Sequence, residues 1–187
     1  MVDGRELVIW RGADHEAHVW EDRCPHRGMR LSFGFVRGNS LNCLYHGWQY
    51  GGRAQCQHIP AHPDLTVPRS IRANAYPAYE AGGMIWIRLD GSADDRPPEL
   101  PAGAEPLASL AVAADAETIR TVAVGAPTNP GAQLFSFSQE GAVLHLGWHL
   151  VHSGKTMLHA VTEGGSREIA IRLLRKVRAF AERSAMA

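Results

Sequence analysis

Cysteine is scarce. The 187-residue chain has three, too few for a disulfide framework. An excess of charge of one sign is lacking too, since 19 Lys and Arg balance 19 Asp and Glu. That balance offers no electrostatic reason to expect nucleic acid or an anionic membrane as partner. No apolar run approaches the ~20 residues needed to span a bilayer. The opening Met1-Val2-Asp3-Gly4-Arg5-Glu6 lacks the basic-then-apolar layout of a secretory signal. Together these absences point to the cytoplasm, a reducing compartment in which cysteines ligate metal more often than they form bridges. What is present is an ordinary globular composition, 45% hydrophobic and 20% charged, enough for one well-cored domain or two small ones.

The first half reads as β structure. Leu7-Val8-Ile9-Trp10 and Ala17 to Asp22 are short runs of β-branched and aromatic residues and are expected to pair. Gly38-Asn39-Ser40 reads as a turn between two further short strands, and Met84 to Leu89 as the last strand of an all-β domain spanning 1–89. Residues 90–106, rich in proline and acidic groups, read as a linker. In 107–187, Ile119 to Val124 reads as a strand and Ala126 to Gly131 as a Pro-rich loop. Leu134 to Ser138, Ala142 to Val151 and Thr156 to Thr162 read as further strands. From Ser166, a candidate N-cap, Ile169, Leu173, Val177 and Phe180 recur at helical spacing with basic residues between them. The fold class is therefore α+β: an all-β domain, then a small antiparallel sheet with a long C-terminal helix.

The chemistry concentrates in Cys24-Pro25-His26-Arg27-Gly28 and Cys43-Leu44-Tyr45-His46-Gly47-Trp48. Thiolate and imidazole are both metal ligands, so Cys24, His26, Cys43 and His46 are candidate metal and cofactor ligands. A structural zinc ion is one reading, although zinc loops usually pair like with like, Cys with Cys and His with His. One cysteine and one histidine on each loop suits a Rieske [2Fe–2S] centre, because each loop can then touch both irons. Cys56, the remaining cysteine, reads as a small buried residue. Arg27, Tyr45 and Trp48 sit beside ligands and read as residues that shape or shield that face.

The flanks narrow the choice. Cys-Pro-His-Arg-Gly, then Leu-Ser-x-Gly, Leu-x-Cys-x-Tyr-His-Gly-Trp-x-Tyr and Cys-x-x-Ile-Pro resemble the Rieske domain of Rieske non-haem iron oxygenases over about residues 5–89. The likeness is greatest to the group that includes vanillate demethylase. The resemblance implies a [2Fe–2S] cluster with Cys24 and Cys43 on one iron and His26 and His46 on the other. It also implies a reductase or ferredoxin as donor, and it is compatible with an oligomer. Respiratory Rieske proteins carry extra loop cysteines and a serine after the second His-Gly, where this chain has Met29, Leu44 and Trp48. Fewer hydroxyl donors to the cluster sulfurs place the expected potential at the low end of the ~−150 to +300 mV Rieske range.

Full oxygenases also hold a mononuclear iron on two histidines and a carboxylate. Glu140, His145, His149, His152 and His159 are the nearest candidates here. On a strand, however, His145 and His149 would stand ~13 Å apart at ~3.3 Å per residue. No catalytic residue is therefore expected. The expected role is electron transfer as a subunit of a Rieske-type oxygenase system, delivering to a mononuclear iron on a partner subunit. A complete compact oxygenase is the alternative, and a zinc-stabilised binding module a third. The basic face of the terminal helix, including Arg172, Arg175 and Arg178, is a candidate docking surface for an acidic partner.

Overall fold

The computed structural model describes residues 1–90, 98–122 and 133–186. These fall into two compact units, one within Arg5–Tyr79 and Ile85–Asp95, the other within Met1–Gly4, Glu80–Met84 and Arg96–Ala187.

The first unit is built from short strands. Leu7–Arg11 (β1) and Ala17–Glu21 (β2) form an antiparallel pair in which Trp10 faces His18. Phe35–Arg37 (β3), Ser40–Asn42 (β4), Gln49–Gly51 (β5) and Cys56–His58 (β6) make a four-stranded antiparallel meander. The Gly38-Asn39 turn joins β3 to β4, with Arg37 opposite Ser40 and Gly38 at φ 56°, a backbone state that glycine enters without penalty. Ala75–Tyr76 (β7) extends the β1–β2 sheet beside β2. A separate two-stranded hairpin, Ala78–Ala81 (β8) with Met84–Ile87 (β9), has residues in each unit. Trp10, Trp20, Leu31, Leu41, Tyr50 and Ile59 form the core, in which Cys24, Cys43 and Cys56 are also buried.

The second unit is a sheet covered on one face by helices. Glu105–Val112 (β10), Leu134–Gln139 (β11), Ala142–His152 (β12) and Lys155–Glu163 (β13) lie in the order β10-β13-β12-β11, all antiparallel. Between β10 and β11, Ala116–Val122 (α1) replaces the strand expected from Ile119. The β-branched run suggested a strand. Local capping and packing decide otherwise. Asp115 Oδ1 accepts from Thr118 N–H at 2.8 Å, an N-cap arrangement, and Ile119 and Val122, three apart, are both buried. β10 was not expected either. Its first residues, Glu105 and Pro106, pair with Thr162 and Val161, although their composition reads as linker. The Ala126–Gly131 loop and residues 91–97 of the expected linker lie outside the described residues.

The terminal helix, Arg167–Ser184 (α2), starts at Ser166, whose side chain accepts from Glu168 N–H. Its buried stripe is Ala170, Leu173, Leu174, Val177 and Ala181, packed on Leu144, Leu146 and Leu158 of the sheet. Phe180 is half exposed and falls outside that stripe. Among the arginines of its polar side, Arg172 is 3.8 Å from Glu140, and Arg178 is bonded to Glu182 at 3.0 Å.

Candidate metal centre

The two ligand loops are the same turn used twice. In the first, Cys24 N–H donates to Met29 C=O and Gly28 N–H returns to Cys24 C=O, both at 2.8 Å. In the second, Cys43 N–H donates to Trp48 C=O and Gly47 N–H returns to Cys43 C=O, both at 2.9 Å. Each turn closes through a glycine at positive φ, 72° for Gly28 and 69° for Gly47. At Gly47 space matters as well, because an added Cβ would sit 3.1 Å from Pro60 Cγ. That contact gives the Ile59-Pro60 pair its place in the motif. Because the turns match, the one-residue difference between Cys-x-His and Cys-x-x-His sets the two histidines at different points of the same loop.

A second close approach fixes the first loop against the meander. A Cβ on Gly34 would meet the Asn42 carbonyl oxygen at 2.1 Å, so only glycine fits. Asp22, buried just before Cys24, accepts from Ser32 N–H at 2.7 Å and Ser32 O–H at 2.6 Å. The Ser of the Leu-Ser-x-Gly stretch therefore ties Leu31–Phe33 to the strand that delivers Cys24.

The loops bring the four ligand candidates to one end of the unit with cysteines inside and histidines outside. Cys24 and Cys43 are buried, His26 is half-buried and His46 exposed. The imidazoles lie edge to face, centroids 4.7 Å apart. Trp48 stacks on His26 at 4.1 Å and 7°, and Tyr45 leans on His46 at 3.8 Å. His26 Nδ1 is closed to solvent and has no hydrogen-bond partner, as a nitrogen reserved for a metal would be. Burial, then His46 and Arg27, lowers its pKa, which keeps a lone pair available. Burial pushes the Cys43 thiol up, while the N–H groups of Tyr45 and His46 pull it down by favouring thiolate. The buried Tyr50 hydroxyl lies 3.1 Å from Cys24 Sγ. The sequence reading passed over this donor, although it is the final residue of the Gly-Trp-x-Tyr stretch. Cys56, buried nearby, has its thiol pKa raised chiefly by burial and points to the His58 carbonyl at 3.6 Å.

The spacing of the donors separates one ion from two. A tetrahedral site with bonds of ~2.0–2.3 Å would hold all its donor atoms within ~4 Å of one another. Among the described residues, the only group of three or more side chains whose donor atoms lie within 4.8 Å of one another is Asp14, Glu16 and His18. Cys24, His26, Cys43 and His46 form no such group of three.

The histidines of the second unit are dispersed differently. His145 meets Ser136 Oγ at 2.7 Å and lies 3.7 Å from Glu163. His152 bonds the Ser153 carbonyl. His149 and His159 come together across β12 and β13, Nδ1 to Nε2 at 3.1 Å, with Ser109 on His159 at 2.8 Å and the Met1 carbonyl on His149 at 3.1 Å. That pairing depends on strand register, which the sequence does not display.

Residues 1–73 match the family described as Rieske [2Fe-2S] domain. The chain is 46% identical over 87 residues to the oxidoreductase NdmD of Pseudomonas putida, a stretch covering 46% of this chain and 15% of that protein. It is 44% identical over 89 residues to methylxanthine N1-demethylase NdmA of Pseudomonas putida, covering 48% of this chain and 25% of that protein. The matched stretch is thus a quarter or less of either relative. The solved NdmA of Pseudomonas putida CBB5 has a similar fold, with a TM-score of 0.79 at 24% identity, covering 98% of this chain and 72% of that one. The cofactor such a domain takes is a [2Fe–2S] cluster. This chain carries a Rieske [2Fe–2S] domain, homologous to that of members of the Rieske non-haem iron oxygenase family.

Proposed function

We propose that this protein passes single electrons through its Rieske cluster within an oxygenase system. It would take them from a reductase or ferredoxin and deliver them to a mononuclear non-haem iron on a partner subunit. Cys24 and Cys43 would hold one iron, His26 and His46 the other. The bound cluster supplies a one-electron store. The observation that carries the reading is the polarity of the site, buried sulfurs and outward imidazoles. With one ring nitrogen of each histidine on iron, the other edge is the shortest way in and out for an electron. Trp48 holds the His26 ring by stacking, and Tyr45 covers one side of His46 while leaving it exposed. The setting is the cytoplasm. No helix among the described residues is long and apolar enough to cross a membrane.

A complete compact oxygenase is the second reading, and the His149–His159 pair is what favours it. No carboxylate joins that pair in a group of three within 4.8 Å among the described residues, so electron transfer is preferred. Iron and acid-labile sulfide analysis with turnover assays separates the two. Two irons per chain, rapid reduction by a ferredoxin–reductase pair and no oxygen consumption alone support the proposal. A third iron bound by His149 and His159, with oxygen uptake by the isolated chain, would overturn it.

A further inference from the structure

The stretch that carries the two ligand loops has charge of one sign. From Arg23 to Pro63 the sequence holds five arginines and no aspartate or glutamate, although the whole chain balances 19 basic against 19 acidic residues. Two of the five, Arg23 and Arg30, bracket the first loop and share a single carboxylate, that of Glu6. Arg27, next to His26 in that loop, is exposed and has no ion-pair partner among the described residues. Asp22, just before the loop, is buried and occupied by Ser32. The first loop therefore has a positive rim that the described residues do not neutralise.

The second loop is apolar where the first is basic. Leu44 and Tyr45 are 61% and 59% exposed, two large side chains left open on one turn. Tyr45 lies against His46, and the His46 ring lies 4.7 Å from that of His26. The two loops thus join in one surface of arginine, tyrosine and leucine around exposed imidazole. Tyrosine and arginine are enriched among the residues that carry binding energy at protein interfaces. Two apolar side chains make a small patch, which suits a transient electron-transfer encounter better than a permanent subunit interface. On α2, by contrast, Arg172 and Arg178 already face Glu140 and Glu182.

We propose that Arg27, Leu44 and Tyr45 form the docking surface for an acidic one-electron carrier protein of the [2Fe–2S] ferredoxin kind. Its carboxylates meet the arginine rim, and its apolar centre rests on Leu44 and Tyr45. The proposal rests on the electron-transfer reading above and adds where the donor binds. In each encounter the reduced carrier gives up one electron and the oxidised cluster gains it, with no bond made or broken. Charge steers the approach, and the small apolar contact keeps the complex short-lived.

The test uses cluster-loaded protein and an acidic plant-type [2Fe–2S] ferredoxin, both oxidised, so that binding is read without electron transfer. A thermophoresis titration at low salt should saturate at one ferredoxin per chain. Affinity should fall more than ~10-fold between ~0.01 M and ~1 M salt, as the Debye length shrinks from ~30 to ~3 Å. Arg27→Gln should weaken binding by roughly 3-fold and flatten the salt dependence. Leu44→Ser should weaken it by about 5-fold and leave the salt dependence as it was. Visible and EPR spectra check that both variants keep the cluster, and the salt titration of the wild type needs no variant at all. Binding as expected, with no reduction of the cluster when the ferredoxin is reduced, would refute the electron-transfer reading and leave the docking surface standing. Reduction of the wild-type cluster alongside binding indifferent to salt would overturn the docking surface. So would the absence of binding at low salt, or binding weakened by Arg175→Gln on α2 and by neither loop variant.

Discussion

Replacing Tyr50 with phenylalanine isolates one hydrogen bond to the cluster. The hydroxyl lies 3.1 Å from Cys24 Sγ inside a fully buried environment. Burial and the surrounding sulfurs push the phenol pKa up, so the group keeps its proton and acts as donor. A hydrogen bond to a charged acceptor is worth ~1.5–3 kcal/mol, and it strengthens as the acceptor becomes more negative. If about half of that distinguishes the reduced from the oxidised state, roughly 1 kcal/mol, the midpoint falls by ~40–50 mV, since a one-electron couple moves ~59 mV for each 1.4 kcal/mol. The low potential expected from the missing serine and loop cysteines is thus partly offset by a donor the chain does retain. Protein-film voltammetry on the cluster-loaded wild type and Tyr50→Phe reads the difference directly. Phenylalanine keeps the ring packed against Trp20, so a change in potential reports the hydroxyl. An unchanged or higher midpoint would refute the reasoning that this bond tunes the cluster.

Gly34→Ala should prevent cluster assembly, because the new Cβ would lie 2.1 Å from the Asn42 oxygen; normal visible absorbance of the purified variant would contradict this. Asp22→Ala leaves both Ser32 donors without their acceptor, and thermal melts should show a loss of ~2–3 kcal/mol with faster cluster release. Ser166→Ala should cost ~1 kcal/mol in urea unfolding of the second unit through loss of the α2 cap. Burial lowers the pKa of His159 to about 4 and also lowers that of His149. His159 is neutral when folded down to about pH 4, so its contribution is fully present above about pH 6.5. It is lost as the pH falls toward 4, by up to ~3 kcal/mol for His159. Urea titrations at pH 7 and pH 5 should show this loss in the wild type and a smaller one in His159→Gln.

The candidate metal site could be proposed from the sequence because the features that mark it are local. Cys24, His26, Cys43 and His46 each lie in a turn whose glycine and proline neighbours are part of the same short segment. The strands flanking those turns, the Gly38-Asn39 hairpin and the Ser166 cap were readable for the same reason. Helix α1 was not, since Ile119 to Val122 carries β-branched residues and only the Asp115 cap and burial at i, i+3 decide for helix. Strand β10 hid in a stretch whose proline and acidic content reads as linker, and its pairing with β13 is a long-range event. Tyr50 and the Asp22–Ser32 pair act across 26 and 10 residues of sequence, distances at which periodicity says nothing. The His149–His159 contact likewise depends on cross-strand register.

The most direct test of the central claim is combined metal and sulfide analysis with EPR of the reduced protein. The account predicts two irons and two acid-labile sulfides per chain, a Rieske-type signal on reduction, and loss of that signal in Cys24→Ser and His46→Ala. A single zinc per chain, with no labile sulfide and no signal on reduction, would contradict it.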